Sequence, residues 1–524
     1  MALALLCSKL KDIQPSKLSE RDDDRYLPLL QQCNFKAFVV NHGVREGSRE
    51  EAHSVAEVLK RIGNPSHPFA LTTTTKLLLP GISTQVLSIN WSSDPSQQPN
   101  FESLARRYRF QTLGKACYEN GINALLLAHH QDDQAETLLM RLVNGHGMLG
   151  LTGIKADAGI PECHGLYGAG ESGEINTLSV LERGNGQQLT VAAGGVKIYR
   201  PLLDFKKEDL RKTCEEASMA WFEDHTNHDP TLTMRNAVRK LYKSQRLPNA
   251  FSKPALLALS ERARQRATYR QDIVMKLLAE CKISRFETRS GTLQLRLPTL
   301  SKIYENEIDR KQLITIVAML LRRILTIVSP YENIELSTLF NIVPSIIPGI
   351  QDESALRSTA LKRYTIAGVQ FTPISSSSDA VGKTWVLSRQ PFTRLQSSKA
   401  LHIFSPPSSS TQPILIDNRY WLRLNPQSFA SASPSVHALT PEILGQFLLK
   451  MDQAKRKTVK DELRWLAPGN VKWTLLALVM EGRCIGLPTM GMYIEGWEGC
   501  CEVMYKKIDV ERMEIGEGRH ESVV

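Results

Sequence analysis

At 524 residues the chain is too long for a single core, so two to four domains are expected, and its 42% apolar and 23% charged residues are ordinary for a globular protein. Its apolar runs stop short of the roughly 18–20 residues a membrane span needs, so no membrane partner is expected. The nine cysteines form no C-x-x-C pair, which argues against a zinc ribbon or iron–sulfur ligand set and fits a reducing compartment. The net charge of +11 suits a polyanionic partner.

The opening MALALLCSKLKDIQ has no basic residue before its apolar stretch and no small-residue cleavage site, so it reads as an amphipathic helix rather than a signal peptide. FKAFVV (35–40) reads as a strand followed by the turn NHG. SREEAHSVAEVLKRIG (48–63) reads as a helix with Ser48 and Glu51 placed as a capping box. TQVLSINW (84–91) is the next strand. FESLARRYRFQTLGKACYENG (101–121) is a helix with Leu104, Tyr108 and Leu113 towards its buried side and Gly121 as its stop. NALLLAHH (123–130) and DDQAETLLMRLVNG (132–145) are a further strand and helix. This alternation predicts an α/β fold with a parallel sheet and right-handed crossovers. Ligands of such sheets gather at the carboxyl ends of the strands, where NHG and HHQDDQ both fall.

Residues 157–198, rich in Gly, read as an inserted loop, and residues 206–330 as mostly helical. From about 331 the texture changes. TIAGVQFTP (365–373) and KTWVLSRQ (383–390) read as paired strands, and SPPSSSTQP (405–413) as a flexible linker. KRKTVKDELRWL (455–466) reads as a helix and WTLLALVMEGRCIGLP (473–488) as a hairpin. The division expected is 1–245, 246–330 as a helical RNA-binding region, and 331–524 as a divergent α+β region. Two basic clusters bear on the polyanion: RNAVRKLYKSQR (235–246), which includes Arg239 and Lys240, and Arg262, Arg264, Arg266 and Arg270. Either alone reads as a solvated helix face; two within forty residues point to nucleic acid.

The sharpest chemical signal is HHQDDQAET, His129 to Thr137. On a helix Asp132 and Asp133 share a face with Glu136 at i+4 and i+3. Crowded carboxylates repel unless a cation joins them, and the natural candidates are Mg²⁺ on a nucleotide or a substrate amine. The plainer alternative is a helix N-terminus, where acids favour the dipole.

AHHQDDQAETLLMRLVNGHGMLGLTGI (128–154) resembles the central motif of the tRNA(Ile)-lysidine synthases, a family of N-type ATP pyrophosphatases with an adenine nucleotide alpha hydrolase-like fold. FVVNHGVREGSREEA (38–52), LARRYRF (104–110), YRPLLDFKKEDLRKTC (199–214) and FEDHTNHDPTLTMRNAVR (222–239) resemble further motifs of that family in order, over about residues 1–245. The resemblance implies ATP, with Mg²⁺, as substrate, and adenylation of the wobble cytidine of tRNA(Ile) followed by attack of the amine of free L-lysine. It implies that Asp133 and Glu136 hold the lysine and that Asp133 and Arg235 stand at the reaction centre. Arg106, His129, Asp132, Asn41 and His42 then line the ATP site, while the two basic clusters put Arg239, Lys240, Arg262, Arg264 and Arg266 on the side expected to face tRNA. For Arg106 and Arg235 a surface ion pair is the alternative. For Asn41 and His42 backbone groups are the alternative. A soluble intracellular protein of cytoplasm or mitochondrion is expected, with a homodimer left open. A tRNA thiolase of the same superfamily and an RNA-binding pseudoenzyme remain alternatives. The family's SGG-x-DS loop has no match in the chain, and Met1 to Leu6 reads like the helix that would follow it, so the chain as written is expected not to complete the ligation.

Overall fold

The computed structural model describes residues 1–10, 32–62, 82–91, 100–182, 185–222, 233–244, 246–298, 309–346, 362–374, 384–405, 412–429, 433–508 and 514–515, the side chains of 178–189 and 514–515 excepted. The chain forms two compact units, Met1–Cys163 with Val196–Ala267, and His164–Gly195 with Thr268–Val524. No helix among the described residues is long and apolar enough to cross a membrane.

The first unit runs through α1 (Ala2–Lys9), β1 (Lys36–Asn41), α2 (Ser48–Arg61), β2 (Ser83–Ser88), α3 (Phe101–Glu119), β3 (Ala124–Leu126), α4 (Gln131–Val143) and β4 (Asp157–Gly159). The chain then contributes the hairpin β5 (Gly173–Glu182) and β6 (Asn185–Gly194) to the second unit. It returns to the first as β7 (Lys197–Tyr199), α5 (Lys207–Glu216), α6 (Met234–Lys243) and the part of α7 (Lys253–Glu280) up to Ala267. β1 and β2 pair in parallel with Lys36 opposite Ser83, and β3 and β7 pair in parallel with Ala124 opposite Lys197. β4 closes the other side of β7 in antiparallel register. This is the α/β architecture that the strand–helix alternation predicts.

Three local expectations are corrected. α2 has no capping box: Gly47, with φ +78°, is its N-cap and Ser48 is already inside the helix. The left-handed glycine lets the chain enter one residue earlier, and Glu51 instead forms an ion pair with Arg45. On α3 the buried stripe is Ala105, Phe110, Leu113, Ala116 and Cys117, with Leu104 and Tyr108 only half-buried, while Gly121 at φ +65° ends the helix as read. Residues 157–198 are not a loop. INTLSV and LTVAA alternate like strands, and β5 and β6 pair along their whole length from Gly173–Gly194 to Glu182–Asn185.

The second unit continues with β8 (Lys282–Glu287), β9 (Thr292–Arg296), α8 (Arg310–Val328), β10 (Tyr364–Ile366), β11 (Val369–Ile374) and β12 (Thr384–Arg389). It adds β13 (His402–Ile403), β14 (Ile414–Ile416), β15 (Tyr420–Leu424), β16 (Ser435–Ala438), α9 (Pro441–Leu449) and α10 (Gln453–Leu466). It ends with β17 (Leu476–Met480), β18 (Arg483–Leu487), β19 (Met492–Tyr493), β20 (Cys501–Tyr505) and β21 (Glu514–Ile515). The strands form three sheets, ordered β10-β11-β12-β9-β8-β21, β14-β15-β20-β6-β5 and β13-β16-β17-β18-β19. The unit is thus more β-rich than the small α+β region expected, although the pairs 369–374 with 384–389 and 476–480 with 483–487 form as read. Much of the region read as a linker, 405–413, lies outside the described residues.

One backbone feature of the first unit positions the helix that carries the acids. Gln134 of α4 donates to Ile154 O at 2.8 Å and accepts from Ile154 N at 2.7 Å, and Arg141 donates to the carbonyls of Gly150 and Gly153. This two-sided grip needs a residue without a side chain beside it. Gly153 has φ +74°, and a Cβ there would sit 2.4 Å from Gln134 Oε1 and 3.1 Å from Ser260 Oγ. Gly153→Ala should therefore lower the unfolding free energy by about 2–3 kcal/mol, read by urea denaturation. A drop of less than about half a kcal/mol would show that the grip yields.

Candidate functional site

The site is built on the N-terminus of α4. His130 is the N-cap: its ring accepts from Asp133 N, and Asp133 Oδ2 accepts from His130 N at 3.0 Å, a reciprocal box made with histidine in place of Ser or Thr. Part of Asp133 therefore serves the helix terminus, the plainer reading of acids in a first turn. The helical period then carries Asp132, Asp133 and Glu136 to one side. Asp133 and Glu136 are buried, 8% and 5% exposed. Bare carboxylates so placed would be costly.

The chain itself brings cations to these acids. Arg239 Nε donates to Glu136 Oε1 at 2.8 Å and its Nη2 lies 3.9 Å from Asp133 Oδ1. Arg235 Nε lies 3.3 Å from Glu136 Oε2, and its Nη2 donates to Thr137 Oγ1 at 3.3 Å. Both arginines stand on one face of α6, four residues apart. α6 is amphipathic, with Val238 buried beside Leu138 and Leu139 of α4. Arg239, expected on a tRNA-facing surface, is thus turned inward to the acids because two buried carboxylates outcompete solvent for its guanidinium.

Asp132 faces elsewhere. It accepts from the backbone N of Lys207 at 3.0 Å, at the start of α5, and pairs with Lys253 at the start of α7. Burial pushes its carboxyl up, but the Lys253 and Lys207 hydrogen bonds outweigh that and hold it below the ordinary value. Lys253 also lies over the ring of Tyr242, whose hydroxyl burial and the neighbouring Glu136 and Asp132 push up to about 12.

Beyond the acids lies a group of basic residues. His129, at the carboxyl end of β3, is half-buried, and its Nδ1 has no hydrogen-bond partner among the described residues. Burial lowers its pKa to about 4, with Asp133 opposing and Arg200, Arg235 and Arg109 reinforcing the shift. Arg109 is itself depressed by burial and by Arg106 and Arg235, and Arg200 by burial and Arg106. Arg109, Arg200 and Arg235 all act on this unsatisfied neutral imidazole and Arg106 acts on two of them, an arrangement suited to a polyphosphate. Arg200 directly follows β7, so the carboxyl-edge rule applied to every strand finds it; Arg109 stands in the quoted LARRYRF. Lys253 carries no sequence signal, being 121 residues from its partner.

The other expected residues divide. Arg106 is exposed, 3.5 Å from Glu162 and over the ring of Phe110, so it is in part the surface ion pair offered as its alternative. Asn41 and His42 follow β1, but Asn41 Oδ1 accepts from Gly43 N at 2.9 Å and His42 O accepts from Trp91 Nε1 at 2.6 Å. These bonds tie both residues to the turn after β1 rather than to the acid–arginine group. Lys240, Arg262 and Arg266 are exposed, whereas Arg264 donates to Thr152 O at 3.1 Å and pairs with Glu261. Residues 223–232, which carry much of the FEDHTNHDP motif, lie outside the described residues. No three His, Cys, Asp or Glu among the described residues stand where they could share a metal ion.

Two titrations test this geometry. His129 is lowered in the folded state, so the unfolded chain takes its proton first, and stability falls as pH drops from about 6.5 to about 4. His129→Gln should flatten that part of the unfolding profile, and an unchanged profile would contradict the buried neutral ring. Asp132 is depressed, so its contribution is present above the ordinary carboxylate value and lost as pH falls through the folded one. Urea denaturation of wild type and Asp132→Asn should differ at neutral pH and converge in acid.

The first part of the chain, which carries this site, is similar to known proteins. Residues 4–245 match the PP-loop domain family. A probable tRNA(Ile)-lysidine synthase of Schizosaccharomyces pombe is 28% identical over 87% of this chain and 84% of its own length. tRNA(Ile)-lysidine synthases of Wolbachia pipientis wMel and Novosphingobium aromaticivorans are 28% and 30% identical over 37% and 42% of this chain. The chain spans about a third and about half of the length of those two bacterial relatives, 32% and 52%. Among solved structures a U34-tRNA thiolase of Methanococcus maripaludis overlaps 50% of the chain, and 78% of its own, at 13% identity with a TM-score of 0.28, too low to bear on the fold. The chain carries a PP-loop domain over residues 4–245 and is similar, over most of its length, to a probable tRNA(Ile)-lysidine synthase.

Proposed function

We propose that this protein is an ATP-dependent tRNA-modifying ligase that forms lysidine at the wobble cytidine of an isoleucine tRNA. The observation that carries the reading is the adjacency of two buried acids, Asp133 and Glu136, to His129 and the arginines that act on it. An ammonium group and a polyphosphate are the ligands such neighbours suit, and the relatives named tRNA(Ile)-lysidine synthase support the pairing of lysine with ATP.

In this reading the cytidine 2-oxygen attacks the α-phosphorus of ATP and pyrophosphate leaves. The lysine amine then attacks C2, the C2–O bond breaks and AMP leaves with that oxygen. Arg106, Arg109, Arg200 and Arg235 offset the negative charge of the phosphates, and neutral His129 offers Nδ1 as a hydrogen-bond partner. Asp133 and Glu136 hold the amine as its cation and accept the proton it sheds before attack. Arg239 already occupies Glu136, so the incoming amine must displace or share that partner. Chemistry at a buried acid pair thus begins with an exchange of cations.

The deciding experiment incubates the protein, supplied with an SGG-x-DS loop ahead of Met1, with isoleucine tRNA, ATP and lysine and analyses the released nucleosides by mass spectrometry. Lysidine is expected, and a thionucleoside formed instead with a sulfur donor would overturn the reading. Asp133→Asn and Glu136→Gln should each weaken lysine binding roughly ten- to a hundredfold, equivalent to about 1.5–3 kcal/mol for a charge-assisted hydrogen bond, with ATP binding changed far less. Equal effects on both ligands would mean that the acids serve the fold alone.

For tRNA, Arg262 and Arg266 stand four apart on one exposed face of α7 while Arg264 is tied to Thr152. Arg262→Ala with Arg266→Ala should flatten the salt dependence of tRNA binding by about 0.7–0.9 log units for each phosphate no longer neutralised. Arg264→Ala should leave that slope in place and lower stability instead. A slope that follows Arg264 would reverse the assignment.

A further inference from the structure

The second unit holds a cavity of about 280 Å³ formed wholly by its own residues, near the lower end of the sizes that hold small ligands. Its wall is cationic from separate parts of the chain: Arg323 from α8, Lys506 and Lys507 from the segment after β20, and His164 from the stretch before β5. Glu171 and Glu332 are the acids on the same wall, so Arg323 and Lys507 match them and a protonated Lys506 gives the wall its excess of positive charge. Trp421, 3% exposed, closes one side with Tyr167 packed edge-on at 5.3 Å. We propose that this cavity binds the phosphate group of a small phosphorylated molecule, with Lys506, Lys507 and Arg323 as its cationic wall.

Lys506 is the centre of the argument because its surroundings hold it in place without neutralising it. Its backbone N donates to Arg419 O at 2.8 Å, and its ammonium donates to Ser329 O at 2.9 Å. A carbonyl leaves the ammonium's charge uncompensated. The buried ion group behind it, Arg389 and Arg419 on Asp417, is internally paired at 2.8 Å for each arginine, so Asp417 is shared between two guanidiniums. Burial, and then Arg419, lower the Lys506 ammonium to about 7, against the opposing pull of Asp417 and Glu171. The empty cavity thus has a lysine near half-protonation at neutral pH, with Arg323, Lys507, His164, Glu171 and Glu332 facing the same space. A phosphate would restore the proton and complete the charge balance, and enclosure by Trp421 favours a small molecule over a nucleic-acid backbone.

The test reads Lys506 itself, which keeps it separate from phosphate binding around His129. The protein is reductively methylated with carbon-13, and the Lys506 resonance is assigned by its disappearance in Lys506→Arg. Its titration midpoint is followed with inorganic phosphate, pyrophosphate or a tRNA transcript. Inorganic phosphate or pyrophosphate should raise the midpoint by about a unit or more, equivalent to roughly tenfold tighter binding to the protonated form, and Lys507→Met should reduce the rise. A midpoint unmoved by either anion at saturating concentration would overturn the proposal. A rise produced by tRNA alone would overturn it in favour of an RNA backbone.

Discussion

Two carboxylates buried on one face of a helix must find positive charge, and the first unit is arranged around that requirement. Asp133 and Glu136 lie on α4, and the nearest cations come from α6, about a hundred residues later, as Arg235 and Arg239. One residue earlier, Asp132 reaches α5 and α7 through Lys207 and Lys253. Three consecutive helices of the later chain are thereby tied to one turn of α4. Apolar packing of Leu138, Leu139, Val238 and Leu256 provides the surface on which these pairs form. Pairing of this kind contributes little net stability, since desolvation offsets most of the attraction. It does fix which face of α6 meets α4, and so where the arginines stand.

The same arrangement divides the site electrically. On one side the acids are near neutral balance with their arginines. On the other, Arg109 and Arg200 act on a histidine kept uncharged, with Arg106 acting on both arginines. A charged His129 would join these cations and be repelled by them; burial instead leaves a neutral ring able to face an anion. Arg235 belongs to both halves, touching Glu136 while acting on His129 and Arg109. Binding at either half therefore alters the charge felt at the other, which suits a reaction that needs an anionic and a cationic substrate together.

Legibility in the sequence followed the range of the interactions. β1, α3, β3 and α4 could be read because each is set by local periodicity and by stops such as Gly121. Asp133 and Glu136 could be placed on one face by spacing alone. Their partners could not, because Arg239 and Lys253 meet the acids only after the chain has folded back across 103 and 121 residues. The hairpin within 157–198 was hidden by its glycines, which mark turns and close approaches such as Gly195 against Glu171 rather than an absence of structure. Arg264 shows the limit of charge clusters: one member of the run is a tether to Thr152, and sequence spacing cannot separate it from its exposed neighbours.

The central claim is that α4 and α6 are joined through charge, and a double-mutant cycle on Glu136 and Arg239 tests it directly. Unfolding free energies are measured for wild type, Glu136→Gln, Arg239→Met and the double variant. Each single change leaves a buried charged group short of its partner, so the double variant should be less destabilised than the sum by about 1–3 kcal/mol. A coupling within about 0.3 kcal/mol of zero would mean that the two side chains do not depend on each other, and the account of the site would fail with it.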